Sequence, residues 1–346
     1  MTVANSVTLG TAPSDSRPRS PQRARQLWTH PTTVMIARRV GLMIPTAFLS
    51  SVMTFILVHL VPGGPAQARL GVTATPEGIE AVNQQLGLNH SLVDQYWRWL
   101  TGIFQGNLGV SLQTGEPVST MVGQDLPVTI ELVILAALIC LAWAVPAGVV
   151  AARRAGSRTD GVIRTTSGLG LAVPDFFLAI VLIDIFAVGA GLFPELGFVP
   201  LSENFGQNLY HLVLPAAAMG LGAGGIVARQ VRSAMLDQLT GDYVRTARAM
   251  GIPERTIVWR YATRNAMPTI LNAYGLVIVG MLGATIIIEQ VFVLPGLGNA
   301  LVNAIEQRDY TFLQGAVLVY VVIVLLVNLV VDVIVQITAG RTDGVG

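Results

Sequence analysis

The sequence predicts an all-α integral membrane protein with six membrane-spanning helices and a folded insert after the first. Three observations carry this. The chain is apolar, with 52% hydrophobic residues, 12% charged ones and a mean hydropathy of +0.62; a soluble domain usually carries about twice that charge. Six apolar segments, over 40–61, 127–152, 163–192, 212–228, 269–288 and 312–337, come near the ~20 residues that a bilayer span needs. The fourth is the shortest. Finally, the basic residues are distributed in step with those segments.

All 21 basic residues are arginine. Eighteen lie in the tail before the first span, in the 153–164 loop, in the 229–264 loop or at Arg341, and only Arg69, Arg98 and Arg308 fall on the other side. Positive loops stay in the cytoplasm, so both termini and the 229–264 loop are expected there. The layout that follows is a basic, disordered cytoplasmic tail over 1–36, a first span over 37–61 and an extracytoplasmic insert over 62–124. A transmembrane core over 125–338 and a second tail over 339–346 complete it. The first tail is rich in Ser, Pro, Thr and Arg and shows no apolar periodicity. The apolar stretch behind it is too long for a signal peptide and lacks a clean small-residue cleavage site.

Several chemistries are excluded. Without lysine there is no Walker A loop and no Schiff-base nucleophile. Cys140, the single cysteine, sits in an apolar run and is expected to be a small buried hydrophobe. His30, His59, His90 and His211 form no pair at helical spacing, and no Gly-x-Ser-x-Gly elbow is present. No catalytic residue, metal ligand or cofactor is expected in this chain. Membrane lipid is an expected partner and nucleic acid is not.

Two segments on the arginine-poor side have structure of their own. Thr75-Pro76-Glu77 reads as a helix start, and 91–104 carries Leu92, Tyr96, Trp97, Trp99 and Leu100, a composition suited to the membrane–water interface. The 289–311 segment carries Val291-Phe292-Val293-Leu294-Pro295-Gly296-Leu297-Gly298. Such an apolar loop either packs on the membrane domain or enters a partner protein. In the fourth span Gly220, Gly222, Gly224 and Gly225 allow close helix approach.

The 236–268 loop is the most informative piece. Leu236, Leu239, Tyr243, Ala247 and Met250 recur at three- and four-residue steps and predict one apolar helical face. Asp237, Asp242, Arg245 and Arg248 fall largely away from it. Gly251 offers a left-handed stop, Pro253 cannot continue the helix, and Glu254 suits the positive end of the next one. A second helix is expected to about Arg264. The product is a helix–Gly–helix hook with Met250-Gly251-Ile252 at its tip. It either rests on lipid headgroups or docks another protein; a definite stop and an apolar face favour docking.

The run Arg245-Thr246-Ala247-Arg248-Ala249-Met250-Gly251, with Arg264-Asn265-Ala266-Met267-Pro268 after it, resembles the EAA loop of binding-protein-dependent ABC importer permeases. It is most similar to the peptide-transport branch, in which Lys often stands at the place of Met250. The general family pattern opens Glu-Ala-Ala where this chain has Arg245-Thr246-Ala247. Leu60-Val61-Pro62-Gly63-Gly64-Pro65, Gly106-Asn107-Leu108-Gly109-Val110-Ser111, Thr114-Gly115-Glu116-Pro117-Val118, Leu126-Pro127-Val128-Thr129-Ile130-Glu131-Leu132, Pro295-Gly296-Leu297-Gly298 and Arg308-Asp309-Tyr310 are similar to further segments of that branch, in order. The resemblance spans about 37–338. It implies a type I ABC importer transmembrane fold, a second homologous permease, two cytoplasmic ATPase domains that bind ATP and Mg, and an extracytoplasmic substrate-binding (lipo)protein. It makes Asp242, Tyr243, Arg245, Thr246, Ala247, Arg248, Met250, Gly251, Ile252, Pro253 and Glu254 an ATPase-coupling element. It makes Phe292, Leu294, Pro295, Gly296, Leu297 and Gly298 a contact loop for the binding protein. The implied cargo is a di- or oligopeptide, with nickel, glutathione or another small solute as alternatives.

Charges inside apolar runs bear on the path. Glu131, Asp175, Asp184 and Asp332 lie in or beside predicted spans. A charge at mid-bilayer costs about 2.5–3.5 kcal/mol on insertion scales, so each is expected to face protein or water. Asp175 and Asp184 are candidates to meet a cationic peptide terminus, with Glu131 a further path candidate. The bland reading of all of them is a structural hydrogen bond. A proton-coupled secondary transporter would also use such groups, but it gives the hook no task. Pro45, Pro146 and Pro174 are expected to kink their helices.

Overall fold

A bilayer core supplies no water to satisfy backbone groups, so a spanning chain of this composition must be helical. The computed structural model describes residues 31–60, 66, 67, 70 and 75–342, and its ordered elements are helices: α1 (Pro31–Leu60), α2 (Pro76–Leu86), α3 (Leu92–Phe104), α4 (Val118–Arg153), α5 (Arg158–Ala172), α6 (Asp175–Gly189), α7 (Phe205–Leu239), α8 (Asp242–Ala249), α9 (Glu254–Phe292), α10 (Leu297–Glu306) and α11 (Tyr310–Thr342). Among the described residues no strand occurs beyond one isolated bridge between Val110 and Pro117. The expected tail lies outside the described residues up to residue 30, as do 343–346 of the second tail and 61–65 of the Leu60 motif.

Among the described residues, five helices are long and apolar enough to span: α1, α4, α7, α9 and α11. The third span, expected as one run over 163–192, is instead the pair α5 and α6, which meet at a 102° bend. Pro174 explains the break. It lacks the amide donor a helix needs and forces Val173 into an extended conformation (ψ 121°). The fourth span, expected to be the shortest, belongs to the 35-residue helix α7.

That helix is the centre of the fold. It packs along α4 on one side and α9 on the other, and 67% of its most apolar window is buried, against 17% for α1 and 6% for α11. The contrast separates a helix packed inside the chain from two on its outside. The glycines act as expected: a β-carbon on Gly220 would come 2.7 Å from the Ala136 carbonyl oxygen, and one on Gly225 would come 2.5 Å from that of Ser167. Cys140 is buried in this core, as expected. α1 lies on the outer side of α11, where Arg39 and Asp332 pair at 3.0 Å. That opposite charge offsets the cost of placing Asp332 in an apolar helix.

The insert is tied to both outer helices. α2 and α3 are capped by Thr75, which accepts from Gly78 N–H at 3.1 Å, and by Ser91, which accepts from Asp94 N–H at 3.2 Å. Both starts agree with the sequence. The Tyr96 hydroxyl on α3 meets the Ser51 hydroxyl of α1 at 2.8 Å. Farther on, the Ser111 hydroxyl donates to the buried Asp309 carboxylate, which also accepts the Leu112 and Phe312 amides at 3.1 Å each. Two motifs quoted separately from the sequence are thus one clamp. Replacing Asp309 by alanine strands those donors at about 1–3 kcal/mol each. The expected outcome is faster hydrogen exchange at Leu112 and faster proteolysis of 105–117; unchanged rates would dismiss the clamp.

Candidate functional site

The hook is preformed. α7 ends at Leu239, Thr240 and Gly241 turn the chain, and α8 runs from Asp242 to Ala249. Gly251 follows at φ +74°, a conformation that side chains with a β-carbon resist. Its amide donates to the Arg248 carbonyl at 3.0 Å, and the Ile252 amide donates to Ala247 at 3.1 Å. That pair of bonds is a Schellman turn. Val244, Ala247 and Ile257 are buried beneath it with Ile252 against them, so the hook carries its own small core. Arg248 clamps the turn from outside, donating through Nε and Nη2 to Glu254 at 3.1 and 2.8 Å. This hydrogen bonding raises the guanidinium pKa further, keeping Arg248 charged.

Two expectations need correction. The apolar face does not run unbroken from Leu236 to Met250. The break at Thr240-Gly241 resets the helical phase, so Val244 and Ala247 turn inward while Tyr243 and Met250 (68% exposed) turn outward. Nor does a separate helix end near Arg264. Pro253 precedes Glu254, where α9 starts, passes through a π-helical stretch over Ile257–Ala262 and continues to Phe292. The hook is therefore joined rigidly to a span. Asp242, Arg245, Thr246 and Pro253 are exposed around it, with Asp242 and Arg245 3.6 Å apart.

The 292–298 loop faces inward. Phe292, Leu294, Gly296, Leu297 and Gly298 are buried, and of the six expected contact residues only Pro295 is exposed. The choice left open by the sequence falls on packing against the membrane domain. The physical reason is Glu289, which the sequence reading passed over. Its fully buried carboxylate accepts from the Thr129 hydroxyl at 2.7 Å and from the Asn299 amide at 2.9 Å, while the Thr129 oxygen accepts the Leu297 amide at 2.9 Å. A β-carbon on Gly296 would overlap that carboxylate. A second unforeseen anchor is Asp160, 2% exposed, which holds Arg232 through Nε and Nη2 at 2.6 and 2.8 Å. The Ser157–Asp160 spacing, a helix-cap pattern, was its one visible signal.

The three path candidates are not brought together. Asp175 opens α6 immediately after the bend and lines a cavity of about 620 Å³ with Gly222, Gln230, Asn272 and Met281. Glu131 borders a different cavity, of about 630 Å³, and accepts a hydrogen bond from Asn208 at 2.9 Å. Asp184 sits in the π-helical end of α6, is exposed, and lines neither cavity. Its place in the path stays an expectation. Among the described residues no cluster of His, Cys, Asp and Glu could hold a metal ion.

The chain is similar to known proteins. Residues 144–344 match the family described as binding-protein-dependent transport system inner membrane component, and residues 32–133 match its N-terminal companion. A Brucella abortus (strain 2308) protein, provisionally named a peptide transport system permease protein, is 38% identical over 89% of this chain and 98% of its own. The glutathione transport system permease protein GsiC of Escherichia coli (strain K12) is 35% identical over 87% of this chain and 95% of its own. In fold, the chain is similar to a solved structure of the MetNI methionine ABC transporter in an inward-facing conformation. The TM-score is 0.52 at 19% identity, over 63% of this chain and 96% of that one. The chain belongs to the inner membrane components of binding-protein-dependent transport systems, the permeases of ABC importers.

Proposed function

We propose that this chain is the translocation-path subunit of an ATP-driven importer of di- and oligopeptides, seated in the cell membrane with both termini in the cytoplasm. The observation that carries the reading is the hook. It is a rigid turn, closed by backbone bonds and an outer ion pair, with Met250 and Gly251 exposed at its tip. A headgroup anchor has no need of such rigidity, whereas a lever does. ATP binding draws the ATPase domains together, the hook moves with them, and α9, continuous with it, carries the motion into the bundle. Each ligand drives such a switch only by binding one state better than the other.

The arginine asymmetry supports the orientation. A second permease completes the path on the face where Asn272 and Leu276 stand exposed. A substrate-binding (lipo)protein docks at the opposite end, touching this chain near Pro295. The peptide and glutathione relatives favour a peptide cargo, glutathione being itself a tripeptide. In a gentle-detergent pull-down from cells making the whole operon, an ATPase and a binding protein are expected to copurify. Recovery of this chain alone, still competent for uptake in ATPase-free proteoliposomes, would turn the reading toward a secondary transporter.

A further inference from the structure

We propose that Asp175 is the cation-recognising group of the path, meeting the free α-ammonium of a peptide in the cavity among α5, α6, α7 and α9; the inference rests on the peptide-importer reading. Of the other carboxylates in or beside the spans, Glu131 is held by Asn208, Glu289 by Thr129 and Asn299, Asp160 by Arg232 and Asp332 by Arg39; Asp125 and Asp184 are not held this way, but neither lines this cavity. The Asp175 carboxylate has no hydrogen bond or ion pair among the described residues. It is half-buried nonetheless, at the head of a helix inside a chain of spans.

The cavity is shaped around it. A β-carbon on Gly222 would overlap the Asp175 Oδ1, so the carboxylate occupies space that only glycine leaves. The remaining polar lining is Gln230 and Asn272, two neutral amides, and among the described residues no arginine or histidine lines the cavity. One carboxylate with two amide acceptors fits an ammonium with several N–H donors. A transition metal prefers imidazole or thiolate ligands, which this lining lacks. The volume of about 620 Å³ lies in the range of small-molecule sites.

The test is chemical rescue in the assembled transporter. Asp175→Cys is placed in a Cys140→Ala background, and uptake of radiolabelled dialanine into proteoliposomes is measured with the binding protein present. Uptake is expected to fall roughly tenfold, the weight of one charge-assisted hydrogen bond. A sulfonatoethyl thiol reagent should restore it, while a methyl or trimethylammonium-ethyl reagent should not. Asp175→Glu should keep most of the uptake and Asp175→Asn should lose it. Equal rescue by the neutral reagent, a thiol that no reagent reaches, or unchanged uptake overturns the proposal. So does loss of the copurifying permease in Asp175→Asn, which would make the carboxylate an interface ion pair. Failure of the unmodified complex to import dialanine on ATP strikes the importer reading instead.

Discussion

Replacing Gly251 by proline is expected to abolish ATP-driven uptake while leaving the spans inserted. The backbone at this position has φ +74°, and the proline ring holds φ near −65°. The substitution also deletes the amide that donates to Arg248. Together these cost about 3 kcal/mol or more, enough to open a turn whose core is four side chains. Val244, Ala247, Ile252 and Ile257 would lose their packing, and Arg248 would lose its register with Glu254. A graded series separates conformation from bulk. Beyond its chain neighbours no atom lies within 4 Å of a β-carbon added at Gly251, so alanine meets only the left-handed penalty of roughly 1–2 kcal/mol. Asparagine, which tolerates that conformation, should stay near wild type. Uptake and the recovery of copurified ATPase should therefore fall in the order Asn, Ala, Pro. Proline protein that still imports at the wild-type rate would refute the lever.

The hook was legible because its signals are local. Gly251, Pro253 and Glu254 act within a few residues of one another, and each has a single backbone meaning. The buried face was not legible, because it depends on a phase reset at Thr240-Gly241 that period counting does not see. The third span illustrates the same limit. Pro174 marked a kink, but the size of the bend is set by the way α5 and α6 pack on α7. Tertiary anchors were the least visible. Asp309 and Ser111 lie 198 residues apart, and Glu289 and Thr129 lie 160 apart. Within Ile288-Glu289-Gln290 a carboxylate reads as the polar end of a span, not as the peg on which the next loop hangs.

Glu289 accordingly carries the largest expected effect on stability. Alanine there removes the acceptor for the Thr129 hydroxyl and the Asn299 amide in a site without solvent. Two stranded donors at about 1–3 kcal/mol each predict a loss of roughly 2–6 kcal/mol. Glutamine should cost less, since one oxygen remains, but its amide must then face the donor of Thr129 or of Asn299. The loss should be local first. The Leu297 and Asn299 amides should exchange faster, α10 should loosen, and Pro295 should no longer be presented at a fixed place. The hook lies at the other end of α9, so ATPase recovery should persist while stimulation by the binding protein falls. That split distinguishes a presenting peg from a general fold requirement. Equal loss of ATPase recovery and of binding-protein stimulation, with uniform exchange along the chain, would assign Glu289 to the fold alone.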